Sequence, residues 1–128
     1  MYLKNFKTIV IKIGSSLLIN DKKTIRKKWL SEFAKDIKDL LNDKKKVIIV
    51  SSGSIALGCK KLNLNKKKLK LDKSQAVASI GQIELMNLYQ NVCKKLKIKI
   101  SQILLTLDDT EQRRRSINAR RTIDNLLT

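Results

Sequence analysis

Histidine is absent from the sequence, and its two cysteines, Cys59 and Cys93, stand far apart without a C-x-x-C spacing. That removes the usual zinc and redox ligand sets, so the thiols read as reduced and incidental, and no metal-ligating residues are assigned. Aromatic residues are scarce as well, with two Phe, two Tyr and one Trp. No basic and aromatic residues interleave in the way that a base-stacking platform requires. No apolar run approaches the ~20 residues of a membrane-spanning helix. The opening "MYLKNFK" has neither the apolar stretch nor the small-residue cleavage site of a secretory signal. The sequence therefore reads as cytoplasmic, with no membrane partner. Two phosphate-binding signatures are also missing, GxxxxGK[ST] and GxGxxG.

What is present is a chain of 128 residues, 42% of them apolar, which suits one domain with its own core. Against 11 acidic residues stand 29 Lys and Arg, a net charge of +18. Such a surface attracts phosphate whatever its sequence, and on charge alone a basic nucleic-acid-binding protein is one alternative. The lysines, however, fall in short runs such as "DKKKV" and "NKKKLKLDK", mixed with Asn, Leu and Ile. That distribution describes a solvated face and argues against nucleic acid as the main partner.

Along the chain, strand and helix patterns alternate. "TIVIKI" at 8–13 reads as a strand, and "GSS" turns out of it. Ile25, Trp29, Phe33, Ile37 and Leu41 recur every four residues, which predicts an amphipathic helix over 24–42. "NDKKK" breaks it, and "VIIV" at 47–50 is a second, buried strand. "SSGSIALG" is a tight turn opening a short helix that runs to Leu62; "NLNKKKLKLD" is a basic loop, and Ser74 to Leu96 a long helix. "KIKISQILLT" at 97–106 is expected to be a third strand, and Asp108 with Glu111 has the spacing of a capping box at the start of the helix carrying "RRRSINARR". Strands separated by helices imply a parallel sheet covered on both faces, and hence an α/β fold. Ligands of such sheets sit beyond the carboxyl ends of the strands, where both small-residue turns lie.

Lys12 is out of place in this pattern. Alternation puts Ile9, Ile11 and Ile13 on one face, and Thr8, Val10 and Lys12 on the other. Burying an unpaired ammonium is costly, so Lys12 either reaches solvent or meets an anion. Beside it, Gly14 permits unusual backbone angles and close ligand approach, and Ser15 and Ser16 add hydroxyls and amides. The second turn delivers Ser51, Ser52 and Gly53 to the same edge, where hydroxyls and helix-terminal amides can hold a carboxylate or a phosphate. Taken singly, each turn is also compatible with a plain capping serine and a turn glycine.

Four blocks, "IVIKIGSSLL", "VIIVSSGSIALG", "SQAVASIGQIELMNLYQ" and "QILLTLDDTEQRRRSINARRTIDNLL", stand in the order and spacing found in the gamma-glutamyl kinases (glutamate 5-kinases) of the amino acid kinase superfamily. The chain resembles that family over nearly its whole length. The resemblance implies a three-layer αβα sandwich with a mainly parallel sheet, ATP with Mg2+ as the phosphoryl donor, L-glutamate as acceptor, and a homo-oligomer. It implies that Lys12 contacts the ATP phosphates and serves catalysis, that Gly14 and Ser15 form the adjoining phosphate loop, and that Ser52, with Gly53 beside it, binds glutamate. The reaction it implies is transfer of the ATP γ-phosphoryl group to the glutamate side-chain carboxylate, the first step of proline synthesis. Arg113, Arg114 and Arg115 read as helix-surface or subunit-contact residues. Gln82 stays open between a place near the substrate and helix packing.

In that family the kinase domain continues past the equivalent of Thr128, through the rest of the glutamate site and the adenine-binding part, and many members add a PUA domain. Residues 1–128 are accordingly expected to be the N-terminal, substrate-side part of the kinase domain, without its nucleotide-binding half and inactive alone. The other alternative is a non-catalytic segment that binds glutamate or a partner subunit.

Overall fold

A computed structural model describes residues 2–20, 22–65 and 68–128. After a 3-10 turn at Tyr2–Asn5 come strand β1 (Thr8–Ile13), helix α1 (Ser15–Leu18), helix α2 (Lys27–Asn42), strand β2 (Lys46–Ser51), helix α3 (Ser54–Lys61), helix α4 (Leu71–Lys95), helix α5 (Leu107–Glu111) and helix α6 (Arg113–Leu126). β1 and β2 pair in parallel, from Thr8 opposite Lys46 to Ile13 opposite Ser51. The result is a mixed α/β fold around a parallel pair.

The alternation expected for β1 holds: Thr8, Val10 and Lys12 are exposed, Ile9 and Ile11 half-buried, and Ile13 buried. Its inner face packs on a core of Ile13, Leu18, Leu30, Leu57, Leu85 and Tyr89, flanked by Ile11 and Ile49. The outer face is open: Val10 is 62% exposed and Val50, which pairs with Lys12, is 51% exposed. Coverage on both faces is therefore not seen among the described residues.

α2 begins at Lys27 rather than at residue 24, because Ile25 is engaged in an antiparallel bridge with Ile19. Its buried side chains are Leu30, Ala34 and Ile37. The expected stripe is thus rotated toward Leu30, leaving Trp29 and Phe33 stacked at its margin with ring centroids 5.3 Å apart. α4 starts earlier than expected, at Leu71, and buries Val77, Gly81, Leu85, Tyr89 and Cys93, one residue per turn. The basic loop before it includes residues 66 and 67, which lie outside the described residues.

Two glycines bring α3 and α4 together. A Cβ on Gly58 would meet the Val77 carbonyl oxygen, and one on Gly81 would meet the Ser54 carbonyl oxygen, both closer than any real Cβ approaches. The helices pack backbone against backbone at this crossing, and the start of α3 is thereby fixed relative to α4.

Residues 97–106 form no strand. A strand needs a partner for its ladder, and none of the described residues offers this stretch one. Ile103, Leu104 and Leu105 remain exposed instead. The helix that follows is capped by Thr106 rather than Asp108: the Thr106 amide donates to Asp109 Oδ2 at 2.8 Å and its hydroxyl at 2.7 Å, completing a capping box in which Asp109 takes the N3 place. These hydrogen bonds hold the Asp109 carboxyl below its ordinary value.

Candidate active site at the paired strand ends

Both small-residue turns leave the carboxyl ends of neighbouring strands, and the structure brings them into contact. The Ser52 amide donates to the Ile13 carbonyl at 3.0 Å, extending the β1–β2 ladder by one rung past Ser51. Gly53 follows with φ 130°, a conformation that side chains rarely adopt, so the chain swings directly into α3. Its Cα faces the first turn closely enough that an added Cβ would lie 3.3 Å from Leu18 Cδ1 and 3.7 Å from Ser15 Cα. A side chain at 53 would be strained by that φ and would press on the Leu18 side chain.

Gly14 behaves otherwise than expected. Its φ of −78° and ψ of 157° are open to any residue, so no unusual backbone angle is needed there. Its surroundings are open as well: a Cβ would find only Ser16 Oγ, at 3.9 Å. The "GSS" turn itself is a single helical turn, α1, with the Leu17 amide donating to the Gly14 carbonyl at 3.1 Å.

Lys12 projects from the open outer face of β1, one residue before this junction, where it is exposed. Strand alternation continues beyond the ladder: Ser51 is half-buried and turned toward the core, while Ser52 is exposed. The Ser52 hydroxyl lies 3.5 Å from the Ile13 carbonyl, a long contact that leaves it available to a ligand. Lys12, Gly14, Ser15, Ser52 and Gly53 thus gather at one edge of the sheet, presenting an ammonium, hydroxyls and open backbone. Such a set can hold and neutralise anions.

Sequence reasoning missed a residue under this edge. Tyr89 of α4 is buried, and its phenol oxygen lies 2.8 Å from Ser51 Oγ. Burial pushes the phenol above its ordinary value, so it keeps its proton at neutral pH. The signal was the one-per-turn stripe Val77, Gly81, Leu85, Tyr89 and Cys93, in which Tyr89 carries the only hydroxyl. Burial likewise raises the Cys93 thiol, which fits an unreactive core residue.

The remaining candidates lie apart. Gln82 is half-buried on α4 beside Gly81. Arg113, Arg114 and Arg115 are exposed on α6, and Arg115 Nη1 reaches Asp109 Oδ1 at 3.8 Å and Asp108 Oδ2 at 3.9 Å, an exposed contact that ties α6 to α5. A shallow concavity of about 950 Å3 opens near the start of α2, lined by Thr24, Ile25, Arg26, Lys27, Lys28, Trp29, Glu32 and Lys60. It contains none of the strand-end residues, and its wide opening makes it the weaker candidate for a substrate site.

Comparison with known families matches residues 7–128 to the Amino acid kinase family. The chain belongs to the amino acid kinase family. Among its relatives, it is 75% identical over 126 residues to the glutamate 5-kinase of Pelagibacter ubique (strain HTCC1062), an alignment that covers 98% of this chain and 34% of that protein. It is 52% identical over 128 residues to the glutamate 5-kinase of Nitrobacter hamburgensis, covering 99% of this chain and 34% of the relative. With the glutamate 5-kinase of Brucella abortus (strain S19) the identity is 50% over 125 residues, covering 98% of this chain and 33% of the relative. The chain spans about a third of the length of these curated relatives. Within this amino acid kinase segment, no described helix is long and apolar enough to cross a membrane.

Proposed function

We propose that this segment forms the acceptor side of a glutamate 5-kinase, which phosphorylates the side-chain carboxylate of L-glutamate at the expense of ATP and opens proline synthesis. The observation that carries the reading is the junction itself: Gly53 of the second turn lies against Ser15 and Leu18 of the first, so a phosphate held by one turn and a carboxylate held by the other would be neighbours. The names of the relatives support glutamate as the acceptor. The enzyme is proposed to be cytoplasmic and homo-oligomeric, with β1 and β2 as part of a larger three-layer αβα sandwich.

Acyl-phosphate formation brings two anions together, so catalysis is largely positioning and charge neutralisation. Magnesium-bound ATP would supply the phosphoryl group. Gly14 leaves room for a phosphate above the backbone, and Ser15 lines the same turn. Lys12 offsets negative charge between donor and acceptor, and Ser52 with the Gly53 amide orients the glutamate. The Mg2+ ion is proposed to arrive with the nucleotide phosphates, as phosphoryl transfer from ATP implies.

The reading is tested with a chimera in which residues 1–128 replace the corresponding part of the Pelagibacter relative, assayed for γ-glutamyl phosphate by hydroxylamine trapping. Glutamate-dependent turnover is expected; a folded chimera without it would overturn the assignment. In the chimera, Ser52→Ala is expected to raise the glutamate KM roughly ten- to hundredfold with kcat little changed, the pattern of a contact made in both ground and transition states. A raised ATP KM with an unchanged glutamate KM would move Ser52 to the nucleotide. The 128-residue polypeptide by itself is expected to show no turnover, because it spans about a third of the length of its curated relatives and the one concavity described above does not adjoin Lys12. Acyl phosphate formed by that polypeptide alone would refute this.

A further inference from the structure

We propose that Tyr89 is a positioning residue for the glutamate site: acting through Ser51, its phenol sets the orientation of the Ser52–Gly53 peptide. The inference deepens the glutamate-kinase reading and rests on it. A serine hydroxyl carries one proton. Ser51 Oγ donates that proton to the Ser52 carbonyl at 3.2 Å, so in its 2.8 Å contact with Tyr89 the phenol is the donor. The resulting relay runs from Tyr89 through Ser51 to the Ser52 carbonyl oxygen. Among the described residues no peptide bond is cis, so the Gly53 amide N–H points opposite that carbonyl. Fixing the carbonyl therefore fixes the direction in which Gly53 presents its donor to the acceptor's carboxylate.

The anchor is rigid for reasons already on the page. Tyr89 sits in the same buried cluster as Ile13, Leu18 and Leu85, 6% exposed, so its ring has little freedom. Two turns earlier on α4, Gly81 lies against the Ser54 carbonyl. One helix thus grips the turn at both ends, by a hydrogen bond at Ser51 and by backbone contact at Ser54. Without the phenol proton, the Ser51 hydroxyl loses the partner that aims it at the Ser52 carbonyl, and the peptide plane loses this link to the core.

The experiment compares the active chimera with its Tyr89→Phe, Ser51→Ala and doubly substituted forms. Tyr89→Phe keeps the ring in the core, so folding is preserved and a thermal scan verifies it. The expected result is a glutamate KM raised roughly three- to tenfold in each single variant, with kcat and the ATP KM essentially unchanged. The double variant should be no worse than either single one, since both remove the same relay. A role confined to packing would lower thermal stability without that selective KM change. An unchanged glutamate KM in Tyr89→Phe, or additive effects in the double variant, overturns the inference while leaving the kinase reading intact. A folded parent chimera that lacks glutamate-dependent turnover overturns both.

Discussion

Replacing Lys12 by methionine in the chimera is expected to lower kcat by on the order of 10²-fold or more. The substitution retains an unbranched side chain on an exposed strand position and removes only the charge, so stability should be nearly unaffected. Lys12 stands on the outer face of β1, and the ladder places it opposite Val50, two residues before Ser52. If the proposed site holds donor and acceptor, a cation there is close to the meeting point of two anions, yet it makes no part of the core. Its value lies in charge that develops or converges during transfer, and such a loss falls on turnover more than on binding. Steady-state kinetics in both substrates checks this. Near-normal kcat would remove Lys12 from the chemistry and return it to an ordinary solvated lysine.

The second large effect concerns stability. Gly81→Ala is expected to cost about 3 kcal/mol or more, because the added methyl would have to occupy the position of the Ser54 carbonyl oxygen and crowd the Gly58 amide. Neither obstacle is a flexible side chain, so relief requires the helices to move apart along the whole α3–α4 contact. In the chimera, about three times the length of this chain, that corresponds to a fall in Tm of roughly 4 to 6 °C. Thermal unfolding of the chimera with and without the substitution measures it. A Tm within about 2 °C of the parent would mean that the two helices slide past one another at little cost.

Much of this architecture was legible in the residues. The β-branched runs marked β1 and β2, and alternation within β1 assigned Lys12 to the face it occupies. The two small-residue turns were placed at one edge because parallel neighbours end together, and the register agrees. Three features were hidden for separate reasons. "KIKISQILLT" has strand composition, but composition gives a preference and only a neighbouring strand realises it. The cap of α5 was placed two residues late because Asp108 and Glu111 satisfy the same spacing rule as Thr106 and Asp109, and only the hydrogen bonds separate them. The site's support from Tyr89 depends on a contact across 38 residues of chain, which no local pattern reports. Unusual backbone angles were expected at Gly14, and the backbone assigns that demand to Gly53 instead.

The parallel pairing of β1 with β2 also governs when the site comes into being. The chain leaves the first strand at Ile13 and returns at Lys46, so the two turns meet only when a span that includes α1 and α2 has closed. The entropy of closing that span is spent before any contact between Gly53 and Ser15 repays it. The junction is therefore a non-local contact, and its stability depends on the crossover as much as on the two turns. A lesion confined to α2, which gives no side chain to the strand-end residues, would silence them by releasing the crossover that holds them together.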